Sequence, residues 1–179
     1  MSRIRISGGG WRSRQLKVVD SAGLRPTPDK VRQTLFSWVG QDLSGWACLD
    51  LFAGTGVLGL EAASRGAERV TLVEKGAQAF FALRQNLASL GAGNVELHKG
   101  DALQFLASHQ ARYDLIFLDP PYRQGWLQRV APLLDSVAAD DCLIYAEAES
   151  SMDALGAWRT CKRGVCGSVH YHLMQRDVL

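Results

Sequence analysis

The tetrapeptide DPPY, residues 119–122, combines residue types that together can hold the amine of a nucleobase. It follows the apolar run LIFL, which predicts the end of a buried strand. The Asp119 carboxylate and the Pro120 carbonyl can accept the two N–H bonds of an exocyclic amine and free its lone pair for attack on a methyl group. Two prolines in a row stiffen the bend and fix the direction of both acceptors. Tyr122 can stack on the face of a base.

A glycine-rich segment follows an earlier apolar strand, ACLDLF. Gly54, Gly56 and Gly59 form the spacing G-x-G-x-x-G at the start of a helix, where small residues let the backbone approach a ligand. A tight turn between strand and helix is the alternative explanation. The next strand ends at Glu74, where a carboxylate can accept both hydroxyls of a ribose.

Four predicted strands in succession carry an acidic residue at the carboxyl end. Ligands of parallel α/β sheets bind beyond these ends. A single acid there could be a helix cap or a solvated charge, but four in succession indicate a shared ligand site. The four residues are Asp50, Glu74, Asp101 and Asp119.

Charge and size favour S-adenosylmethionine as the ligand. A dinucleotide places its pyrophosphate on the glycine loop and the helix N-terminus, where Asp50 would repel it. S-adenosylmethionine instead carries an ammonium and a sulfonium, together with ribose hydroxyls for Glu74 and an adenine amine for Asp101. A chain of 179 residues is also too short for the separate substrate domain of most dehydrogenases.

The remaining segments alternate between strand-like and helix-like patterns. RIRI and QLKVV predict a β-hairpin, and TPDKVRQTLFSWVG predicts a helix that Thr27 caps. The alternation that follows predicts an α/β fold, a Rossmann-like, mostly parallel sheet with helices on both faces. The tail predicts a hairpin with one antiparallel strand near the C-terminus. The length predicts a single domain, 1–179, with the basic hairpin and helix in 1–40 and the catalytic core in 41–179.

Positive charge is concentrated at the N-terminal end. Residues 1–40 carry a net charge of +6 and the remainder carries −4, giving +2 for the chain. Trp11 and several glycines stand among the arginines and could let the backbone lie close to RNA or DNA. The pattern predicts a polyanionic partner, with a solvated extension as the alternative. The residues expected to bind RNA are Arg12, Arg14, Lys17 and Arg25.

Composition favours a cytoplasmic protein with neither a metal site nor a membrane segment. None of the four cysteines forms a C-x-x-C pair, and two lie in apolar runs, which predicts reduced thiols. No stretch approaches the ~20 apolar residues that span a bilayer. The N-terminus lacks the apolar run of a signal peptide. His170 and His172 share one face of a strand, and packed or solvated imidazoles are favoured there over metal ligands.

The segments DLFAGTGVLGLEAASRGA, VEKGAQA, GDALQFL and DLIFLDPPY resemble the motifs of class I methyltransferases, in order. The flanking segments GGGWRSRQL, GLRPTPDKVRQTLFSWV, LIYAEAE and YHLMQR narrow the resemblance to the RsmD family. This family contains bacterial methyltransferases that modify the N2 amine of a guanine in small-subunit (16S) rRNA. The resemblance covers nearly the whole chain and implies the class I methyltransferase fold, with S-adenosylmethionine as the cofactor.

The resemblance also implies a role for each site residue. The residues near the cofactor's methionine end are Asp50, Gly54 and Gly56; Glu74 takes the ribose; Asp101 and the backbone of Ala102 take the adenine; Asp119, Pro120 and Tyr122 hold the target base. Arg25, Pro26 and Thr27 are expected near the active site, and the hairpin is expected to contact RNA. The implied partner is small-subunit rRNA or an assembled small ribosomal subunit.

Two other functions remain open at the level of the sequence. The DPPY tetrapeptide alone is shared with enzymes that methylate adenine or cytosine amines, so a methyltransferase acting on such an amine of DNA or RNA is one alternative. A DNA enzyme normally needs an added target-recognition region, and none is evident. The other alternative is a non-catalytic nucleotide-binding module, in which DPPY would have no purpose.

Overall fold

The structure is a computed structural model that describes residues 2–19 and 26–177. Its strands are β1 (Ser2–Arg5), β2 (Gln15–Val18), β3 (Ala47–Asp50), β4 (Arg69–Glu74), β5 (Val95–Lys99), β6 (Tyr113–Leu118), β7 (Ala138–Ala148), β8 (Ala154–Leu155), β9 (Trp158–Cys166) and β10 (Val169–Arg176). Its α-helices are α1 (Asp29–Val39), α2 (Val57–Ser64), α3 (Ala77–Leu90), α4 (Ala102–Ser108) and α5 (Trp126–Val130), and a 3-10 helix, Ala131–Ser136, follows α5.

A central sheet of eight strands has the order β5-β4-β3-β6-β7-β10-β9-β8. The first five strands in this order are parallel, and β10, β9 and β8 add an antiparallel edge. Neighbouring residues of the central strands alternate between two apolar clusters, one with residues of α1, α2 and α3 and the other with residues of α4 and α5. The predicted mostly parallel sheet with helices on both faces is therefore confirmed. The short strand β8 is an addition that the sequence pattern did not indicate.

The strands β1 and β2 form the predicted hairpin as a separate two-stranded sheet. Alternate hairpin residues are buried in the same apolar cluster as α1 and α2, namely Ile4, Ile6, Leu16 and Val18. The turn docks on the end of α2, where Gly10 N–H donates to the Ser64 carbonyl at 2.7 Å. A Cβ added at Gly9 would lie 2.0 Å from that carbonyl oxygen, so only glycine fits there. The glycines of this turn thus approach α2, and because Gly9 and Gly10 are also exposed, their approach to nucleic acid stays a prediction.

A buried carboxylate links the hairpin to two helices. Glu61 of α2 is fully buried and pairs with Arg32 of α1 at 2.6 Å and with Arg65 one turn along its own helix. The Ser7 backbone N–H and hydroxyl also donate to Glu61, at 2.6 and 2.9 Å. The hairpin is therefore fixed to the helix that begins at the glycine-rich loop.

Thr27 does not cap α1, and that prediction is wrong. The helix begins at Asp29, its cap residue is Pro28, and no side chain caps the first turn. Thr27 lies one residue before the cap. Its hydroxyl donates to Oε2 of Glu147, a residue of β7, at 3.0 Å. The segment before α1 is thereby held against the end of β7.

Candidate active site

A cavity of about 950 Å³ lies at the carboxyl ends of the parallel strands. Its volume is at the upper end of the range of roughly 300–1,000 Å³ that small-molecule sites occupy. Most of the residues predicted for catalysis and cofactor binding line it: Gly54, Glu74, Asp101, Ala102, Asp119, Pro120 and Tyr122. The structure thus brings residues from four strand ends and from the loop after β6 into one site, as the sequence led us to expect.

Asp50 lies beneath this cavity and is not part of its wall. The side chain is 1% exposed, and its Oδ2 accepts the Gly59 N–H at 3.1 Å. Its other oxygen, Oδ1, lacks a hydrogen-bond partner in the described part of the chain. Burial, and then the nearby carboxylates of Glu74 and Glu147, raise the pKa of Asp50 to about 7.

The three glycines of the G-x-G-x-x-G spacing have different tasks. Gly54 lines the cavity, whereas Gly56 and Gly59 do not. A Cβ at Gly56, whose φ is +79°, would lie 2.3 Å from Leu83 Cδ2 of α3, and one at Gly59 would lie 2.3 Å from Leu72 Cδ2 of β4. The latter two glycines therefore allow α2 to pack closely against α3 and the sheet.

Glu74 organises the loops around the cavity. Its Oε1 accepts the Gly54 N–H at 2.8 Å and its Oε2 accepts the Gly76 N–H at 2.7 Å. A carboxylate offers about four acceptor sites, so roughly two remain for a ligand. Two neighbouring hydroxyls, such as those of a ribose, match the acceptors that remain.

Asp101 precedes α4 and caps its first turn. Its Oδ1 accepts the N–H groups of Leu103 and Gln104 at 2.8 and 3.3 Å. These two bonds leave the second oxygen, Oδ2, as an acceptor beside the cavity. Ala102 is the first residue of the helix, and N–H groups of a first turn have no partner within the helix. Together the two residues offer one acceptor and one donor, which suits the edge of an adenine.

Among the described residues that line the cavity, acidic side chains outnumber basic ones by five to two. The acids are Glu74, Asp101, Asp119, Glu147 and Glu149, and the bases are Lys75 and Arg123. Such a site repels a pyrophosphate and attracts a ligand that carries an ammonium and a sulfonium. The residues present therefore fit S-adenosylmethionine better than a dinucleotide.

The DPPY segment leaves β6 and forms part of the cavity wall. Pro120 is buried and Tyr122 is half-buried, and both line the cavity. The following residue, Arg123, has a φ of +63°, which is uncommon for a residue with a side chain. Its backbone N–H donates to Glu149 Oε1 at 2.5 Å, which ties the loop to the end of β7.

Asp119 and Glu147 form a pair of carboxyl groups at this wall. Burial, and then the charge of Glu147 and a hydrogen bond with it, raise the pKa of Asp119 well above its usual value. Burial also raises the pKa of Glu147, while hydrogen bonds from Asp119, Thr27 and Tyr145 work in the opposite direction. Burial and like charge therefore disfavour the state in which both carboxyl groups are ionised.

The residues expected to bind RNA do not lie together. Arg12 lines an open groove of about 540 Å³ between the hairpin and the start of α1. Arg14 instead donates to the Ser89 carbonyl on α3 at 2.9 Å, and Lys17 is exposed on β2, outside the groove. Arg25 lies outside the described residues.

The groove has two exposed arginines that the sequence did not single out, Arg3 and Arg5. It shares Pro26, Thr27 and Pro28 with the larger cavity, so the two openings adjoin. Alternation along β1 could have identified these arginines, because Ile4 between them is buried and its neighbours must face outwards.

Comparison with known proteins assigns the chain to a family. The family model described as Conserved hypothetical protein 95 matches residues 4–175. Ribosomal RNA small subunit methyltransferase D of Escherichia coli strain K12 is 44% identical over 180 residues, which cover 98% of this chain and 91% of that relative. The chain belongs to the RsmD family.

Solved structures agree with an RsmD-family fold. The protein yhhF of Escherichia coli has a TM-score of 0.88 at 42% identity, with 99% of this chain and 100% of that chain covered. An RNA methyltransferase from Salinibacter ruber, solved in complex with S-adenosyl-L-homocysteine, has a TM-score of 0.69 at 17% identity, with 87% and 95% covered. The predicted class I methyltransferase fold and membership of an enzyme family are thus confirmed.

Sequence reasoning did not assign Glu147 to the site of this RsmD-family protein. It is 3% exposed, stands at the end of β7 and lines the cavity. The rule applied to the other strand ends would have found it, because the segment CLIYAE also ends in an acid.

The remaining expectations concern a membrane segment and a metal site. Within 2–19 and 26–177, no helix is long and apolar enough to cross a membrane. In the same residues, no group of three or more acidic, histidine or cysteine side chains could hold a metal ion. His172 is buried, with Nε2 accepting the Met152 N–H at 3.0 Å and Nδ1 lying 3.0 Å from the Ala146 carbonyl, so it is a packed imidazole.

Proposed function

We propose that this chain transfers a methyl group from S-adenosylmethionine to the exocyclic N2 amine of a guanine in small-subunit (16S) rRNA. The observation that carries the proposal is the shared cavity. Residues suited to the cofactor, Glu74 and Asp101, and residues suited to an amine, Asp119 and Pro120, line the same opening. Methyl donor and acceptor amine can therefore meet in one site.

The cofactor would be held by side chains with acceptors to spare. Glu74 would take the ribose hydroxyls, Asp101 and the Ala102 N–H would take the adenine, and Gly54 would pass close to the methionine portion. Asp50 would act from beneath the cavity through its charge, because a bound ammonium favours ionisation of a carboxyl whose pKa is about 7. When bound, S-adenosylmethionine supplies a methyl group activated by its sulfonium.

The DPPY residues would hold and activate the base. The Asp119 side chain and the Pro120 carbonyl accept the two N–H bonds of the amine, which frees the nitrogen lone pair that the ring otherwise delocalises. Tyr122 stacks on the base, as sites for splayed bases commonly do. The loop that carries these groups is tied to β7 through Arg123 and Glu149, so the acceptors are aligned before the substrate arrives.

RNA would reach the site over the hairpin. The groove beside the cavity has the exposed arginines Arg3, Arg5 and Arg12, which can bind phosphates on either side of a splayed base. Arg14 and Lys17 lie further out and would add positive charge along the path. The family relatives named for small-subunit rRNA support this substrate. The partner would be small-subunit rRNA, either alone or within an assembled small subunit in the cytoplasm.

The test is direct detection of the modified nucleoside. Purified protein is incubated with S-adenosylmethionine and either small-subunit rRNA or small subunits that lack the modification, and the RNA is digested and analysed by mass spectrometry. We expect N2-methylguanosine, and the yields on rRNA and on small subunits will show which form is the better substrate. Methylation of adenine or cytosine would support the alternative amine substrate, and the absence of any methylation would contradict the proposal.

A further inference from the structure

We propose that Glu147 is a positioning residue that orients Asp119 toward the target amine and takes up the proton shared by the two acids when Asp119 accepts the amine proton. The inference rests on the proposed function, since the amine is the substrate group named there. Glu147 itself does not need to touch the substrate. It would hold Asp119 in the orientation that faces the amine. Its carboxyl would also carry a proton at the end of the reaction.

Strand register puts the two carboxyl groups side by side. Strands β6 and β7 are parallel, and Leu118 pairs with Ala146. The next residue on each strand is Asp119 and Glu147, so both side chains arise at the same level of neighbouring strands. Both line the cavity, but Glu147 is 3% exposed whereas Asp119 is partly accessible. Asp119 is therefore the member that a substrate reaches first, with Glu147 behind it.

Thr27 fixes the orientation of the hidden carboxyl. Its hydroxyl donates to Glu147 Oε2 at 3.0 Å, and Thr27 is itself 4% exposed. One oxygen of Glu147 is therefore occupied by the Thr27 hydroxyl, which also works against the rise in the pKa of Asp119. The Thr27 hydroxyl thus orients a buried acid instead of capping α1. This contact supports a positioning role for Glu147.

The surroundings keep one proton on the pair. The titratable groups that face it are Asp50 from β3 and Tyr145 from β7 itself. Burial raises the pKa of both members, and Asp50 adds a further like charge. Among the described residues, the groups that shift these two pKa values include no basic side chain. We therefore assign one shared proton to the pair, which would titrate as a unit.

The reaction then balances within the site. The amine lone pair forms the new N–C bond while the C–S bond of the sulfonium methyl donor breaks and its electron pair stays on sulfur, which becomes a neutral thioether. The methylated nitrogen, now positive, loses one proton to Asp119. The proton that Asp119 and Glu147 shared moves fully onto Glu147. The pair passes from one negative charge to neutral, and later releases one proton to solvent.

The experiment replaces Glu147 while keeping its shape. Glu147→Gln retains an oxygen for the Thr27 hydroxyl but cannot take the shared proton. Glu96→Gln is the control, because it removes an exposed carboxylate on β5 that does not line the cavity. Single-turnover methyl transfer, S-adenosylmethionine affinity and thermal unfolding are measured for all three proteins. Infrared difference spectra record protonated carboxyl groups without cofactor or RNA.

We expect Glu147→Gln to slow methyl transfer by roughly 10²-fold, the lower end of general acid–base contributions, with cofactor affinity within a factor of a few. Its pH–rate profile should lose one of the two ionisations of the wild type. The wild-type-minus-variant infrared spectrum should show a lost protonated-carboxyl band, in which the contribution of Asp50 cancels. The Glu96→Gln control should show none of these changes.

Two results would overturn the inference: an unchanged carboxyl band, or wild-type transfer rate and pH profile, in Glu147→Gln. The infrared measurement separates this outcome from failure of the proposed function. If wild-type protein methylates no guanine, the substrate assignment is wrong, and the spectrum still decides whether Glu147 shares the proton of Asp119.

Discussion

Glu61 links the hairpin to α1 and α2, and neutralising it should lower the free energy of unfolding. Glu61→Gln keeps the side-chain volume but removes the charge that faces Arg32 and Arg65, both of which are almost fully buried. Removing one partner of a buried ion pair costs about 3–5 kcal/mol, because it leaves uncompensated charge in the interior. The amide oxygen can still accept the Ser7 N–H, so we expect about 3 kcal/mol.

The assay is equilibrium unfolding in denaturant, supported by thermal unfolding. A loss of about 3 kcal/mol is a large share of the 5–15 kcal/mol that typical domains have. It corresponds to a fall in Tm of roughly 6–12 °C for a chain of this size. Asp29→Asn is the matched control, since Asp29 faces the same Arg32 at 3.4 Å but its side chain is 58% exposed. Exposed pairs contribute about 0–1 kcal/mol.

Equal and small losses for Glu61→Gln and Asp29→Asn would refute this reasoning. Such a result would mean that the buried network contributes no more than a surface ion pair. The hairpin would then be held by its apolar contacts and by the Gly10–Ser64 hydrogen bond.

Three further predictions concern the cofactor, the RNA and pH. Glu74→Ala should weaken S-adenosylmethionine binding by about 1–3 kcal/mol in calorimetry, because charge-assisted hydrogen bonds are lost; new affinity for NAD with unchanged cofactor affinity would contradict this. Replacing Arg3, Arg5 and Arg12 with alanine should lower the slope of log K against log salt for RNA by about 2, at ~0.7 per phosphate contact, whereas Arg14→Ala with Lys17→Ala should change it less. Asp50 holds its proton up to a pKa of about 7 instead of 3.8, so the native state binds the extra proton between these values and loses stability as pH rises through them. Across that window the advantage of Asp50→Asn over wild type in unfolding free energy should therefore grow, by at most ~1.4 kcal/mol per pH unit.

Local patterns predicted the elements that carry the site. Alternation of apolar runs with helical periodicity indicated the parallel sheet, and the position of acids at strand ends indicated the cavity. These inferences succeed because the carboxyl ends of parallel strands meet at one edge whatever the details of packing. Glu74, Asp101 and Asp119 could therefore be brought together without a structure.

Contacts between distant segments could not be predicted in the same way. The hydrogen bond between Thr27 and Glu147 joins residues 120 positions apart, and no local pattern distinguishes it from a helix cap. Arg32 counted as positive charge of the N-terminal arm, yet its guanidinium is buried against Glu61. Gly59 looked like part of a ligand loop, but packing against Leu72 requires it.

The account depends most on Asp119 as the group that receives the amine. Methyl transfer to small-subunit rRNA by the Asp119→Ala variant, measured beside calorimetric binding of S-adenosylmethionine, tests this most directly. We expect transfer to fall to background while cofactor affinity stays within a factor of a few, because the proposed ligand contact of Asp119 is to the base and not to the cofactor. Turnover near the wild-type rate would contradict the account, since the amine would then be activated without the carboxylate that the DPPY segment provides.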